Sequence, residues 1–207
     1  MEHDIENRVY SENVIGFTTL AAEYCNLLDG VALLSQKEFI DKAHRLLPLI
    51  YLKAIILPEV EPEMPDMIDK SVTQEEWEVV HLTLLKKLSG IDDYQEVWDA
   101  LNDSQQMNSL SEGFTDIYQD LKDYIALYNM GTPEIMNDAI WECKNNFKLF
   151  WGQRLMNITR VLHHLLYGGV SLNESDALSE ADFDPENWGK KDWSDLGLQS
   201  ESEDTYE

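Results

Sequence analysis

Asp116, Asp120 and Asp123, within DIYQDLKDY, fall at i, i+4 and i+7, so a helix would carry all three carboxylates on one face. Carboxylates so grouped can hold a divalent metal or exchange protons if a cation or donor answers them. Unanswered, like charges at this spacing weaken a helix by roughly 0.2–0.5 kcal/mol per pair. Downstream, Gln153, Asn157, Arg160 and His164 recur at three- and four-residue steps and form a second polar stripe. One reading is a polar site between two helices, built from Asp116, Asp120, Asp123, Asn157, Arg160 and His164, of the kind that bundles place in their cores. The other is structural: a solvated acidic face, or an inter-helix ion pair such as Asp120 with Arg160. The structural reading is the expected one.

A second set of carboxylates has a spacing that hydrolases use. Glu75-x-x-Glu78 and Glu96-x-x-Asp99 are acids at i, i+3, which all-helical nucleotide pyrophosphohydrolases employ to hold magnesium on substrate phosphates. In a chain with 40 acidic residues such pairs arise readily by chance. Glu75 and Glu76 also sit where a helix start favours negative charge. His163 and His164 are adjacent and point about 100° apart on a helix, a poor arrangement for one metal and a good one for a helix C-terminus. Nucleophilic catalysis finds no support, with no G-x-S-x-G and no glycine-rich phosphate loop.

These residues need elements to position them, and the elements read as helices. Apolar side chains at Val14, Phe17, Ala21, Tyr24 and Leu28 predict a helix over 9–29, stopped by a left-handed Gly30. Ser35 with Glu38 forms a capping box that opens a second helix through Leu57, kinked but unbroken at Pro48. The proline-rich 58–72 is a loop. Thr73 with Glu76 opens a third helix, closed by Gly90. Residues 91–108 carry no single pattern; a short helix around Tyr94–Leu101 would bury Val97, Trp98 and Leu101, with a polar loop after it. A fourth helix covers roughly 111–130. After Gly131, Thr132-Pro133 starts a fifth that runs unbroken to 167, with Gly152 as a weak point or close-packing site.

With strand signals nearly absent, the expected fold is all-α: an antiparallel bundle of about five main helices over residues 1–169. Residues 170–207 form an acidic tail, with 12 acids and two lysines. That tail nevertheless carries Phe183, Trp188 and Trp193, which are candidates for docking, either on a partner or on the domain itself.

Helices one, four and five resemble a bacterial family of all-helical proteins known only as a domain of unknown function. The resemblance rests on AAEYCNLLDG, SLSEGFTDIYQDLKDYIALY and WECKNNFKLFWGQRLMNITRVLHHL. The family pattern has paired acids where this chain has Glu112-Gly113. It has histidines around Trp151-Gly152, where this chain has Phe150 and Gln153 or Arg154. The resemblance implies a fold over most of residues 9–167, and no reaction.

The chain has 207 residues and a formal net charge of −25. Such a field opposes binding to nucleic acid or anionic lipid, so neither is an expected partner. Cys25 and Cys143 sit within apolar helical patterns and read as buried reduced thiols. No signal peptide or membrane span is expected, and the cytoplasm is the default compartment. The functional expectation is a non-catalytic bundle in protein–protein interaction, without a cofactor. The alternative is a divalent-metal-dependent hydrolase.

Overall fold

Two of the capping signatures set helix starts as the sequence implies. In the computed structural model, which describes residues 2–64, 70–99, 101 and 104–179, the Glu38 amide donates to Ser35 Oγ at 3.3 Å and Glu38 Oε2 accepts from the Ser35 amide at 2.9 Å. Thr73 and Glu76 repeat the exchange at 3.2 and 2.8 Å. Each box satisfies amides that a helix start leaves orphaned. The helices are α1 (Glu2–Val9), α2 (Glu12–Asp29), α3 (Gln36–Ile55), α4 (Gln74–Lys87), α5 (Leu110–Tyr128), α6 (Pro133–Asn146) and α7 (Gly152–Tyr167).

Central α5 packs against α2, α4, α6 and α7, while α3 fills the angle between α2 and α7. Ring pairs fix the directions. Phe17 meets Tyr124 with centroids 5.2 Å apart, and Tyr24 meets Phe114 at 6.4 Å, so α2 and α5 run antiparallel. Tyr51 with Phe147 and His44 with His163 set α3 antiparallel to α7. Phe17, Tyr24, Phe39, Phe114 and Trp151 are fully buried at the centre. Burying a side chain of this size stabilises by roughly 1.5–3 kcal/mol. The fold is predominantly α, as the apolar periodicity requires.

Four local expectations need correction. First, the chain starts with a separate helix, α1, before α2. Second, Gly30 ends α2 at φ −99°, outside the left-handed region, whereas Gly131 does adopt φ +78° after α5. Third, the Thr132 side chain makes no capping bond, although Pro133 does open α6. Fourth, residues 91–108 contain an antiparallel hairpin, β1 (Asp93–Asp99) with β2 (Ser104–Ser109), and not a short helix. Asp92, Tyr94 and Glu96 point inward while Asp93 and Gln95 point out, the two-residue alternation of a strand. Leu101, expected in the core, is 96% exposed.

The long fifth helix is also interrupted. Between α6 and α7, Phe147–Trp151 forms a π-helical turn, with the Gly152 amide donating to Phe147 O. A Cβ at Gly152 would lie 2.5 Å from Phe147 O and 2.8 Å from its ring, so glycine is the one residue this turn accommodates. By contrast α3 continues through Pro48, as expected.

Two non-helical stretches are tied to the bundle by side chains. On the loop after α3, Asn137 Nδ2 donates to Glu61 O at 2.7 Å, Asp138 accepts from the Glu63 and Met64 amides, and Lys144 donates to Leu57 O. Residues 170–179 strap the start of α3 to the end of α4. Asp176 accepts from the Gln36 amide at 2.8 Å and from Lys87 Nζ at 2.9 Å, and Leu178 N reaches Ala32 O at 3.0 Å. Phe183, Trp188 and Trp193 lie outside the described residues.

Candidate functional site

The three aspartates of α5 share a helix face, yet each is answered by a different element. Asp116 Oδ1 accepts from Trp77 Nε1 of α4 at 3.2 Å, and its Oδ2 pairs with Arg154 Nη1 of α7. Asp120 Oδ1 accepts from Asn146 Nδ2, the last residue of α6, at 2.8 Å. Asp123 turns toward the loop that leads into α4. Its Oδ1 takes the Ser71 and Val72 amides at 2.7 and 2.9 Å and the Ser71 hydroxyl at 2.7 Å, with Lys70 Nζ 3.7 Å from Oδ2. Asp123 is therefore a fastening for the loop before α4, a structural role.

The second polar stripe does not meet the first. Asn157 Nδ2 donates to Val97 O at 3.0 Å, Gln153 Nε2 to the same oxygen at 2.9 Å, and Arg160 Nη2 to Gln95 O at 2.8 Å. Together they dock α7 onto β1, and the anticipated Asp120–Arg160 pair is replaced by Asp120–Asn146. His164 is exposed in the last turn of α7, and His163 stacks near His44 and Tyr167. Of the six residues expected to form one site, only Asp116 and Asp120 line a common cleft.

What brings α5 and α7 together is a residue outside that set. Arg154 reaches Asp116 through Nη1, while its Nε lies 3.8 Å from Glu96 Oε1. Glu96 is fully buried under the hairpin, where Asn108 Nδ2 donates to it at 2.7 Å and Gln106 Nε2 at 3.3 Å. The approach depends on Gly113: a Cβ there would come within 2.9 Å of Ile158 and 3.4 Å of Arg154. Gly113 thus makes room for Ile158 first and for the Arg154 stem beside it.

Asp116, Gln119 and Asp120 of α5, Phe150 and Trp151 of the π turn, and Arg154 line a cleft of about 240 Å³. Burial pushes the Asp116 carboxyl above its ordinary range despite the opposing Arg154 charge and the Trp77 donor. Burial pushes Asp120 further, up to about 6, against the pull of Lys70 and Asn146. Trp151 is 1% exposed, and its indole N–H has no hydrogen-bond acceptor among the described residues. A buried unpaired donor costs about 1–3 kcal/mol, so native structures seldom keep one.

The hydrolase carboxylates do not converge. Glu75 and Glu78 are exposed on α4, Glu78 taking a bond from Gln74 at 3.0 Å, whereas Glu96 is sealed beneath the hairpin. Glu78-x-x-His81 has the spacing of a bundle metal motif, but the His81 ring stacks on Trp77 at 4.8 Å. Among the described residues no three His, Cys, Asp or Glu side chains are grouped to hold a metal ion. Cys25, its thiol pushed up to about 12 by burial, and Cys143 are both buried and unpaired with each other.

Comparison with known proteins places this architecture. No curated protein matches the chain. A crystal structure of protein BF1032 from Bacteroides fragilis is similar, with 37% identity, a TM-score of 0.70, and coverage of 79% of this chain and 98% of that one. The profile of the family described as "Domain of unknown function (DUF5063)" matches residues 8–168, the hairpin and the cleft included, and the chain belongs to that family.

Proposed function

We propose that this is a non-catalytic helical-bundle protein of the cytoplasm that works by binding another protein. One observation carries the reading: the outward side of the second half of α3. Leu49, Leu52, Ile55 and Ile56 occupy one arc of the helix and are each 42–56% exposed. Scattered apolar residues are ordinary on a surface, but four grouped within two turns mark a contact surface. The helix beneath them also has a net positive charge. It carries Lys37, Lys42, Arg45 and Lys53 against Glu38 and Asp41, in a protein of net charge −25. An amphipathic acidic segment of a partner fits such a face, apolar side chains to the arc and carboxylates to the flanking bases. The two unpaired buried cysteines support the compartment.

The test is affinity capture from the native host with the full chain and with a Leu52→Glu/Ile56→Glu variant. The variant should keep its helical circular dichroism and lose the partner. Identical captures from both proteins would end this reading. A second comparison uses a chain shortened after residue 179, which keeps the Asp176 strap and removes Phe183, Trp188 and Trp193; loss of the partner there would assign the contact to the acidic tail. The hydrolase alternative has no observation in its favour, since Glu75 and Glu78 are exposed on α4 while Glu96 is buried at the hairpin.

A further inference from the structure

The strap of residues 170–179 delivers the rest of the chain to an open groove. Lys37 N donates to Asn173 O at 3.0 Å, the Gln36 amide to Asp176 at 2.8 Å, and Leu178 N to Ala32 O at 3.0 Å. The strap thus travels from the start of α3 back along the 3₁₀ turn Val31–Leu33, toward the end of α2. Beside Ala32, Leu33 and Leu34 line a groove of about 530 Å³ together with Leu27 of α2 and Leu46 of α3. All four leucines are only partly buried. Lys42 and Glu23 also line it, both exposed, and neither is ion-paired among the described residues. The strap already sets its acids on bases of the helices it crosses, Glu174 on Lys37 and Asp176 on Lys87. Lys42 is the next base along α3, and Glu180, Asp182 and Asp184 are the next acids along the chain.

We propose that the segment Glu180–Glu186 folds back into this groove, with the Phe183 ring among the four leucines and Asp182 or Asp184 against Lys42. Reach, apolar fit and charge carry the assignment. Phe183 follows Leu178 by five residues, and an extended chain of that length spans about 16–18 Å. The groove begins one residue from the Ala32 carbonyl that holds Leu178. An aromatic side chain flanked by carboxylates matches an apolar groove with one unpaired base at its edge. Glu23 disfavours a second carboxylate there, which leaves the other aspartate in solvent. The same segment from a second copy is the weaker occupant, because a short tether presents it at millimolar effective concentration. The groove lies on the α2 side of α3 and shares no residue with Leu49, Leu52, Ile55 and Ile56, so it is independent of the α3 contact surface.

The test uses the full chain with labelled leucine methyl groups, the four groove leucines being assigned by single Leu→Ile changes. Phe183→Ala should keep its circular dichroism, shift the methyls of Leu27, Leu33, Leu34 and Leu46, and leave those of Leu49 and Leu52 in place. A synthetic peptide of residues 180–186 is then titrated onto both proteins. It should bind Phe183→Ala at least about fivefold more tightly than the parent, whose own segment competes. Adding Lys42→Glu to Phe183→Ala should weaken that binding about threefold. The proposal is overturned if Phe183→Ala moves none of the four leucines, or if it moves Leu49 and Leu52 instead. It is equally overturned if both proteins take the peptide alike, if Lys42→Glu changes nothing, or if the parent's groove shifts depend on protein concentration, which would give the groove to a second copy. Partner capture through Leu52 and Ile56 is measured separately, so either reading can fail alone.

Discussion

The cleft beside α5 and the outer side of α3 break opposite rules of burial. One withdraws carboxylates and an indole N–H from water without satisfying them all. The other leaves four large aliphatic side chains in it. Each departure has a different consequence. The cleft is held against an electrostatic penalty and should respond sharply to substitution. The four α3 side chains are about half exposed among the described residues, so polar substitutions there should leave the fold intact and weaken only the proposed partner contact. Stability measurements on a few variants separate the two.

The largest effect is expected at Arg154. Arg154→Met leaves buried Glu96 and half-buried Asp116 without their cation, and should destabilise by about 3–5 kcal/mol in urea unfolding. Adding Glu96→Gln should recover part of that loss, and a double-mutant cycle with no coupling would show that the guanidinium packs without pairing.

Asp120→Asn should act in the other direction. Burial raises the native carboxyl from 3.8 to about 6, so the native state holds the proton more tightly than the unfolded chain. The group's contribution to stability is therefore greatest below about pH 4 and falls as pH rises through 6. At about 1.4 kcal/mol per unit, the ionised carboxylate costs on the order of 2–3 kcal/mol at neutral pH. The asparagine variant should match the parent near pH 4 and exceed it increasingly toward pH 7. A constant difference across that range would show that Asp120 ionises as freely in the folded protein as in the unfolded one.

Gly152→Ala forces a methyl against Phe147 O and should cost about 1–3 kcal/mol. Smallest of all, Leu52→Glu and Ile56→Glu should each change stability by less than about 0.5 kcal/mol. A larger loss from either would mean that the α3 face packs against part of this chain.

Much of this contrast could be read from the residues, and the parts that could not have specific causes. Capping boxes at Ser35 and Thr73 are local hydrogen-bond chemistry, complete within four residues, and they opened helices where expected. The face of α5 was equally legible because Phe114, Ile117 and Leu121 recur at helical spacing. The hairpin was hidden because its inward residues include Asp92 and Glu96, which a search for apolar periodicity discards. A buried Glu96 is made acceptable by Asn108 and Gln106 on β2 and by Arg154 on α7, and these come from different segments. Arg154 was passed over because the polar stripe was drawn through Gln153, Asn157 and Arg160, which do share a face and dock on β1, while Arg154 stands on the face toward α5. The π turn was missed as well, because helical phase was carried through Phe147–Trp151 unchanged. A signal was present. Cys143, Phe147, Trp151 and Leu155 follow one another at three successive four-residue steps, which on a straight helix would drift by about 120°.

That turn has a consequence for how the chain can change. An α-helix locks the direction of every later side chain to those before it, but the extra residue in Phe147–Trp151 uncouples the aim of α7 from that of α6. Removing one residue there would turn α7 by about 100° about its own axis. Arg154 would swing off Asp116, and Gln153 and Asn157 would leave the edge of β1, while the length and composition of the helix stayed nearly the same. The turn works as an indexing joint: a one-residue insertion or deletion can re-aim a whole helix, charge cluster and hairpin dock together, where point substitutions would have to move each contact separately.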